Sequence, residues 1–310
     1  MFITLKLSIY ANMKFFEDFR FKRSLRDKVA QSKSEKAVMI VICVLMSLYA
    51  LSLVVPFFFL VINSFKDDLD WLNNPLGFST KPTIDTYIFV FEELRINGVG
   101  LVEMFLNSVL LSTGLTVFSM ALTTAAAYVL AKYQFKGNKL IYSIVLISSM
   151  FPTIAALPAT YRFMQQTHLL NTYIGMLLLQ GGAFGGAFLY LHAYFKQIPW
   201  DYAESAMIDG ASDFKIFIRI MIPLAKNGII TFTITRFLGF WNDYWYPSLF
   251  YNEHPTLAVG LSLINEWAFH QLRYTEMFAA MVITIIPVLV FYAIFQKQLL
   301  SNTVDGGIKS

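Results

Sequence analysis

The stretch 202-YAESAMIDGASDFKIFIRIMIPLAK-226 is a polar, helix-forming insert in a chain that is otherwise apolar. It carries Glu204, Asp209, Asp213, Lys215, Arg219 and Lys226. Pro199 suits a first helical turn, so Trp200 to Ile208 are predicted to form a short helix. Gly210 fits the stop, where a positive φ costs glycine little. Ser212 or Asp213 caps a second helix running to Met221, and Pro223 ends it. The pattern predicts a helix-turn-helix with the small residues Ser205, Ala206, Gly210 and Ala211 at the bend. Small side chains permit close approach by another protein, and Glu204 and Asp209 offer acid to a basic partner. An ordinary hairpin between two apolar segments is the competing reading.

The rest of the chain decides what the insert interrupts. Of 310 residues, 56 % are hydrophobic and 14 % charged, against about 25 % charged in a typical soluble domain. The apolar residues come in runs. No charge occurs between Lys36 and Lys66, Glu103 and Lys132, Lys139 and Arg162, Arg162 and Lys196, or Glu276 and Lys297. A sixth run from Asn227 to about Phe250 holds only Arg236 and Asp243. A hydrocarbon core about 30 Å thick needs about 20 such residues as helix. Six membrane spans follow, all helical, because unpaired backbone groups in lipid are too costly for any open structure. The short alternating strands of a barrel are not found. The fold class predicted is therefore an all-α membrane protein with six transmembrane helices.

Charge distribution orients these spans. Eighteen Lys and Arg fall in the N-terminal segment, the loops at 132–139 and 196–226, and the tail; four, Lys66, Lys81, Arg95 and Arg273, fall in the alternate loops. The bias places both termini in the cytoplasm. The expected organisation is a basic segment over 1–36, a first span over 37–63, an outer loop over 64–100, a core over 101–296 and a tail over 297–310. The first 36 residues do not read as a secretory signal, since the following apolar run exceeds a signal's 7–15 residues. Phe15, Phe16 and Phe19 beside Arg20, Arg23 and Lys28 fit a helix lying on the inner membrane surface; a disordered basic tail fits equally. Met1 and Met13 are both possible starts. In the outer loop, 73-NNPLGFSTKP-82 has turn chemistry.

Several chemistries lack their residues. There is no phosphate-binding Gly-rich loop ending in Lys-Ser/Thr, no His-Glu-x-x-His and no Gly-x-Ser-x-Gly. His168, His192, His254 and His270 are scattered without ligand spacing, and the single cysteine, Cys43, has no intrachain partner. Asp243 is the one carboxylate within a span, so an intramembrane pair of acids is missing. An enzyme reading finds no nucleophile and base. An ion-gradient transporter would couple through Asp243, and leaves the 202–226 insert unexplained.

The run Glu204-Ser205-Ala206, Asp209-Gly210-Ala211, Ile220 and Pro223 resembles the "EAA" loop of ABC importer permeases, in particular the carbohydrate-uptake subunit related to the second permease chain of the maltose transporter. 82-PTIDTYIFVF-91, 107-NSVLLSTGLTV-117, 239-GFWNDYWYP-247 and 296-QKQLLSNTVDGGIKS-310 resemble other parts of that family. Ser205 stands where the family commonly has Ala. The resemblance implies a type I importer fold with no cofactor in this chain. It implies a homologous second permease, two cytoplasmic ATPase subunits that bind ATP and Mg, and an extracytoplasmic solute-binding protein. It implies that Glu204, Ser205, Ala206, Asp209, Gly210, Ala211 and Pro223 form the ATPase-coupling element, in a bacterial cytoplasmic membrane. The loop Tyr251 to Thr275 would probe the binding protein.

Four further groups draw attention. Trp241, Asn242, Asp243 and Tyr244 place polar groups and sugar-stacking aromatic faces in an apolar run, either lining a substrate pathway or belonging to an interfacial aromatic belt. Arg236 and Asp243, seven residues apart, are too distant for a direct ion pair, so each is expected to have another partner. Gly181/Gly185 and Gly182/Gly186 form two Gly-x-x-x-Gly pairs that predict close helix packing, or space for a ligand. Pro56, Pro152, Pro158 and Pro287 predict kinks.

Overall fold

The computed structural model describes residues 33–150 and 156–305. The chain divides into two units between Phe58 and Phe59. The first described helix, α1 (Lys33–Asn63), holds Pro56 in its interior and exposes every side chain from Ala37 to Phe58. Such a surface is stable only where lipid or another apolar chain covers it. The predicted N-terminal surface helix lies outside the described residues.

The second unit opens with two short helices, α2 (Asp68–Asn73) and α3 (Asp85–Glu92), and a two-stranded antiparallel hairpin. Its strands β1 (Arg95–Ile96) and β2 (Val99–Gly100) turn on Asn97 and Gly98, both at positive φ. Helix α4 (Leu101–Lys132) follows and forms the spine of this unit. It buries Ser108, Ser112, Thr116, Ser119 and Thr123, a stripe of small polar residues that lets neighbouring helices approach closely. Their hydroxyls are mostly satisfied within the helix: Ser112 donates to the Ser108 carbonyl and Thr116 to that of Ser112, both at 2.6 Å. Cross-helix bonds are few. Thr123 donates to the Ala183 carbonyl at 2.9 Å, and Ser108 Oγ accepts from the Leu257 amide at 2.7 Å.

Among the described residues, α1, α4 and the last helix, α15 (Tyr274–Asp305), are unbroken helices long and apolar enough to cross a membrane. The other three apolar runs are helical but interrupted. The third run gives α5 (Asn138–Ser148) and α6 (Leu157–Gln166). Pro158 starts α6 rather than kinking it, and Pro152 lies outside the described residues. The fourth gives α7 (Tyr173–Gln180) and α8 (Gly186–Gln197). The insert gives α9 (Asp201–Ile208), α10 (Asp213–Ile216), a π-helical turn (Phe217–Met221) and α11 (Ile222–Leu224). The fifth run gives α12 (Lys226–Asn242) and α13 (Trp245–Phe250).

The region expected to be a loop from Tyr251 to Thr275 is mostly helix α14 (Leu257–Gln271), capped by Thr256, whose hydroxyl accepts from the Val259 amide. It buries Leu257, Val259, Gly260, Ile264 and Ala268, so apolar periodicity and a capping threonine outweigh the loop expectation. Helix α15 holds Pro287 in its interior and runs past Gln296 into the segment expected to be a tail.

Three apolar clusters organise the second unit. One joins α3, the hairpin and α14 to Trp241 and the start of α15. A second gathers the end of α4, α8 and the insert. A third sets Leu111 and Leu115 of α4 against Met164, Met176 and Phe250.

Candidate functional site: a polar joint and a broken-helix cleft

The insert is a closed joint. Helix α9 ends in a Schellman arrangement: the Gly210 amide donates to the Met207 carbonyl at 3.0 Å and the Ala211 amide to that of Ala206 at 2.9 Å. This requires the left-handed conformation at Gly210, whose φ is +77°. Ala203 is fully buried, which fixes one face of α9 on the core, while Ala206 and Ala211 are half-buried beside it. Glu204, Ser205, Asp209 and Gly210 are exposed, and Ile208 and Phe214 project apolar surface at 87 % and 74 % exposure. The coupling candidates on the joint thus divide into a half-buried alanine face and an exposed acidic one.

The second arm departs from the sequence expectation. Ser212 occupies the cap position of α10 without a side-chain bond, and helical structure does not stop at Met221. Pro223 sits inside α11 instead of ending the helix; the chain breaks two residues later, at Ala225. The π turn has a local cause. Proline has no N–H and its ring crowds the carbonyl four residues back, here that of Arg219. Consistent with a widened turn, the Ile222 amide reaches back five residues to the Phe217 carbonyl. Past Ala225 the axis turns by 79° into α12.

Aromatic side chains tie this joint to the spine. Tyr128 of α4 stacks on Phe217 at 4.8 Å between centroids, and Tyr133 meets Trp200 at 5.8 Å. The Tyr133 hydroxyl donates to Asp213 Oδ1 at 3.1 Å. Burial and the adjacent Tyr128 hydroxyl push the Tyr133 phenol well above the usual tyrosine range, so it stays a proton donor. Lys132 Nζ donates to the Ile198 carbonyl. Tyr128 and Tyr133, which local sequence patterns did not single out, are aromatic residues that join the insert to the end of α4.

The second feature is a cleft where two helix breaks meet. Helix α7 ends at Gln180 and α12 at Asn242. Gln180 Nε2 donates to Asp243 Oδ2 at 2.6 Å, joining the breaks. Asp243 Oδ1 accepts from the amides of Trp245 at 2.9 Å and Tyr246 at 3.2 Å, capping α13. Asp243 therefore has the partner expected of it. Arg236 does not: among the described residues its guanidinium has no hydrogen bond or ion pair. Arg236, Gln180, Asp243 and Tyr246 line a cavity of about 570 Å³.

The glycine pairs do not form a helix-packing face, because residues 181–185 are not helical; this corrects that reading. Gly185 has φ +145°, closed to side-chain-bearing residues, and breaks the run. Gly181 alone is tight, since a Cβ there would overlap the Leu177 carbonyl oxygen and the Phe118 ring. Gly182 and Gly186 face open space, with nothing within 4 Å of a Cβ built on either. The remaining pathway candidates separate. Trp241 is buried against Phe105 and Phe237 and is a core residue first. Asn242 and Tyr244 are exposed, and Asn242 Nδ2 donates to the Leu238 carbonyl. With Trp241 they edge a second cavity of about 470 Å³ that also reaches Ser262 and Asn265.

Sequence reading also missed a polar lattice between α2 and the start of α15. Lys66 is fully buried and donates to the Asn74 carbonyl at 2.6 Å; burial pushes its ammonium pKa down. Asp70, held below the usual carboxylate range by the Ser79 hydroxyl, organises the 74–80 turn. Arg273 pairs with Glu276 at 2.7 Å and lies 4.3 Å over the Phe89 ring. Asp68 of α2 accepts from the Thr275 hydroxyl at 2.8 Å across 207 positions of sequence, which leaves no local signal.

Interrupted spans around a polar cleft, with an exposed two-armed joint between them, define a helical membrane permease. Residues 120–303 match the model of the binding-protein-dependent transport system inner membrane component family, and the chain belongs to that family. It is 29 % identical over 280 residues to a diacetylchitobiose uptake system permease of Streptomyces coelicolor, covering 89 % of this chain and 91 % of the relative. It is 30 % identical over 260 residues to an arabinooligosaccharides transport permease of Bacillus subtilis, covering 82 % and 90 %. A bacterial ABC transporter for import of the acidic polysaccharide alginate shares the fold: TM-score 0.74, 23 % identity, 86 % of this chain and 98 % of the other covered.

Proposed function

We propose that this chain is one permease half of an ATP-driven carbohydrate importer in the bacterial cytoplasmic membrane, with α9 as the element that engages an ATPase. The relatives' roles, uptake of diacetylchitobiose and transport of arabinooligosaccharides, support the carbohydrate class. In this reading the chain pairs with a homologous permease. Two cytoplasmic ATPase subunits supply ATP and Mg sites that this chain lacks, and an extracytoplasmic binding protein delivers substrate. The positive-inside bias puts 196–226 on the ATPase side.

The observation that carries the proposal is the joint's closure. The amides of Asp209, Gly210 and Ala211 at the α9 stop are all paired with carbonyls of α9, yet Glu204, Ile208 and Phe214 project outward. A satisfied, rigid knuckle with mixed acidic and apolar surface is built to press on another protein rather than to fold back on its own. Closure of the ATPase pair moves α9; the aromatic ties to Tyr128 and Tyr133 carry that movement to α4, and the permease halves rock as rigid bodies. Asn242 and Tyr244 then border the pathway.

ATP-dependent uptake by the reconstituted complex tests this. Gly210→Trp adds a bulky ring at the exposed bend, where no neighbour in this chain lies within 4 Å, and should abolish uptake while the chain still inserts. Gly210→Asn, which tolerates positive φ, should keep most of it. Full uptake by Gly210→Trp refutes the coupling role.

A further inference from the structure

We infer that the groove between the inner end of α4 and α10 is a lipid site for the ammonium headgroup of phosphatidylethanolamine, with Asp213 as its acceptor and aromatic rings as its walls. The site stands apart from the proposed ATPase contact. It needs only the orientation that the charge distribution sets, with the insert on the cytoplasmic side.

The chemistry of the walls points to an amine. Tyr128, Tyr133, Phe135, Phe214 and Phe217 line a cavity of about 610 Å³ together with Asp213. The Tyr128 and Tyr133 rings meet edge to face at 83°, with centroids 5.6 Å apart, and so form a corner. Tyr133 also fixes the carboxylate, because its hydroxyl donates to Asp213 Oδ1 at 3.1 Å. Asp213 is exposed, and among the described residues its Oδ2 has no hydrogen bond or ion pair. A carboxylate set among aromatic rings attracts an ammonium group twice, through its charge and through the ring quadrupoles. A neutral saccharide or an anion gains from neither charge term. Lys136 and Lys215 are exposed and lie next in sequence to Phe135 and Phe214, so cations stand near for the phosphate that follows the amine in such a headgroup.

Depth makes that amine a lipid's. Helix α4 has 32 residues and is therefore about 48 Å long. Centred on a hydrocarbon core of about 30 Å, it overruns each face by about 9 Å. Ala125 lies about 10 Å before the helix end at Lys132, which puts it at the edge of the hydrocarbon. Tyr128 and Tyr133 then fall at headgroup level, where tyrosine is favoured. Ala125 and Val129 both line the cavity, and Val129 is exposed. The groove thus runs from the headgroup layer to the start of the acyl chains. A cytoplasmic protein reaches its Phe214 end but not its Ala125 end. One phospholipid fills both, with its amine at Asp213 and its first acyl carbons along Val129 and Ala125.

The test uses the complete transporter in vesicles of phosphatidylglycerol that carry a trace of photoreactive lipid. Two probes bear the same diazirine near the carboxyl end of one acyl chain, one with a phosphatidylethanolamine headgroup and one with phosphatidylglycerol. Peptide mass spectrometry reads the label on residues 125–135 and 213–217, normalised to the label elsewhere on the transporter. The ethanolamine probe should label these residues at least about fivefold more than the glycerol probe. Equal labelling by the two probes overturns the inference. Label from neither probe means that a protein, the ATPase or the second permease, covers the groove, and overturns it as well. Asp213→Asn keeps an acceptor for Tyr133 and removes the charge, so it should cut the ethanolamine label about fivefold and leave the glycerol label unchanged. An unchanged ethanolamine label in Asp213→Asn refutes the role of the carboxylate and with it the site. Should that variant fail to assemble, Phe135→Ala, which trims an exposed wall, and the comparison of the two probes on wild type decide. The ethanolamine label should fall by about half in Phe135→Ala, and no fall there counts against the site.

Discussion

The joint at 201–225 and the break at 180–186 both interrupt helices with glycine, and they end in opposite states. At the joint, Gly210 completes a Schellman stop in which carbonyls freed at the helix end accept from the Gly210 and Ala211 amides at 2.9–3.0 Å. At the break, Gly185 opens α8 with no side-chain cap, beside an arginine without a partner. A closed interruption behaves as a stiff mechanical part, because nothing in it gains by rearranging. An open one holds unspent hydrogen-bonding capacity, which in an apolar surrounding favours any group that can use it. Within one chain, then, the same residue type marks a closed interruption and an open one.

The sharpest way to break this contrast is at Asp243, the hub of the open side. Asp243→Ala leaves the Gln180 amide and two backbone amides without their acceptor, and should cost about 2–3 kcal/mol in thermal unfolding of the complex. Asp243→Asn keeps an acceptor and should cost about half as much. Equal stability of all three proteins would mean that the cleft is held by apolar packing alone. Next is a matched pair of glycine substitutions. Gly185→Ala forces a side chain into a conformation nearly exclusive to glycine, at about 1–3 kcal/mol, whereas Gly210→Ala meets the milder left-handed penalty of about 1–2 kcal/mol. Finding Gly210→Ala the costlier would reverse the assignment of which interruption is the more constrained. Smallest is Tyr133→Phe, which removes an exposed bond to Asp213 and should lower stability by about 0.5 kcal/mol. Its informative readout is the ratio of uptake to ATP hydrolysis, which should fall if the aromatic tie couples α9 to α4.

Much of the architecture was legible because it rests on composition over long windows. The charge-free run at 37–65 covers α1 to its end at Asn63, the run at 277–296 lies within α15, and Gly210 marked the stop of α9. What failed was local geometry inside apolar runs. GGAFGG satisfies the Gly-x-x-x-Gly spacing, but a spacing rule presumes a helix, and Gly185 at φ +145° ends it. Pro223 reads as a terminator in a lone segment; here the widened turn accommodates it and postpones the break to Ala225. Asp243 was noticed as a polar residue in lipid, yet its role as a cap depended on α13 restarting two residues later. Arg236 was expected to have a partner because charge in a span usually does, and the pairing failure is visible only in three dimensions. The Asp68 to Thr275 bond links segments 207 positions apart, so no window of sequence contains it.

The hydroxyl stripe on α4 has a mechanical consequence. Ser112 and Thr116 spend their donors on their own helix, so most of the spine's contact surface is smooth to its neighbours, with tethers at Thr123, Ser108 and Asn107. Helices that lean on such a surface can slide by exchanging one set of dispersion contacts for another, with few polar bonds to rupture. The spine works as a low-friction bearing, pinned at a few points, and each transport cycle can turn on it without unmaking the fold.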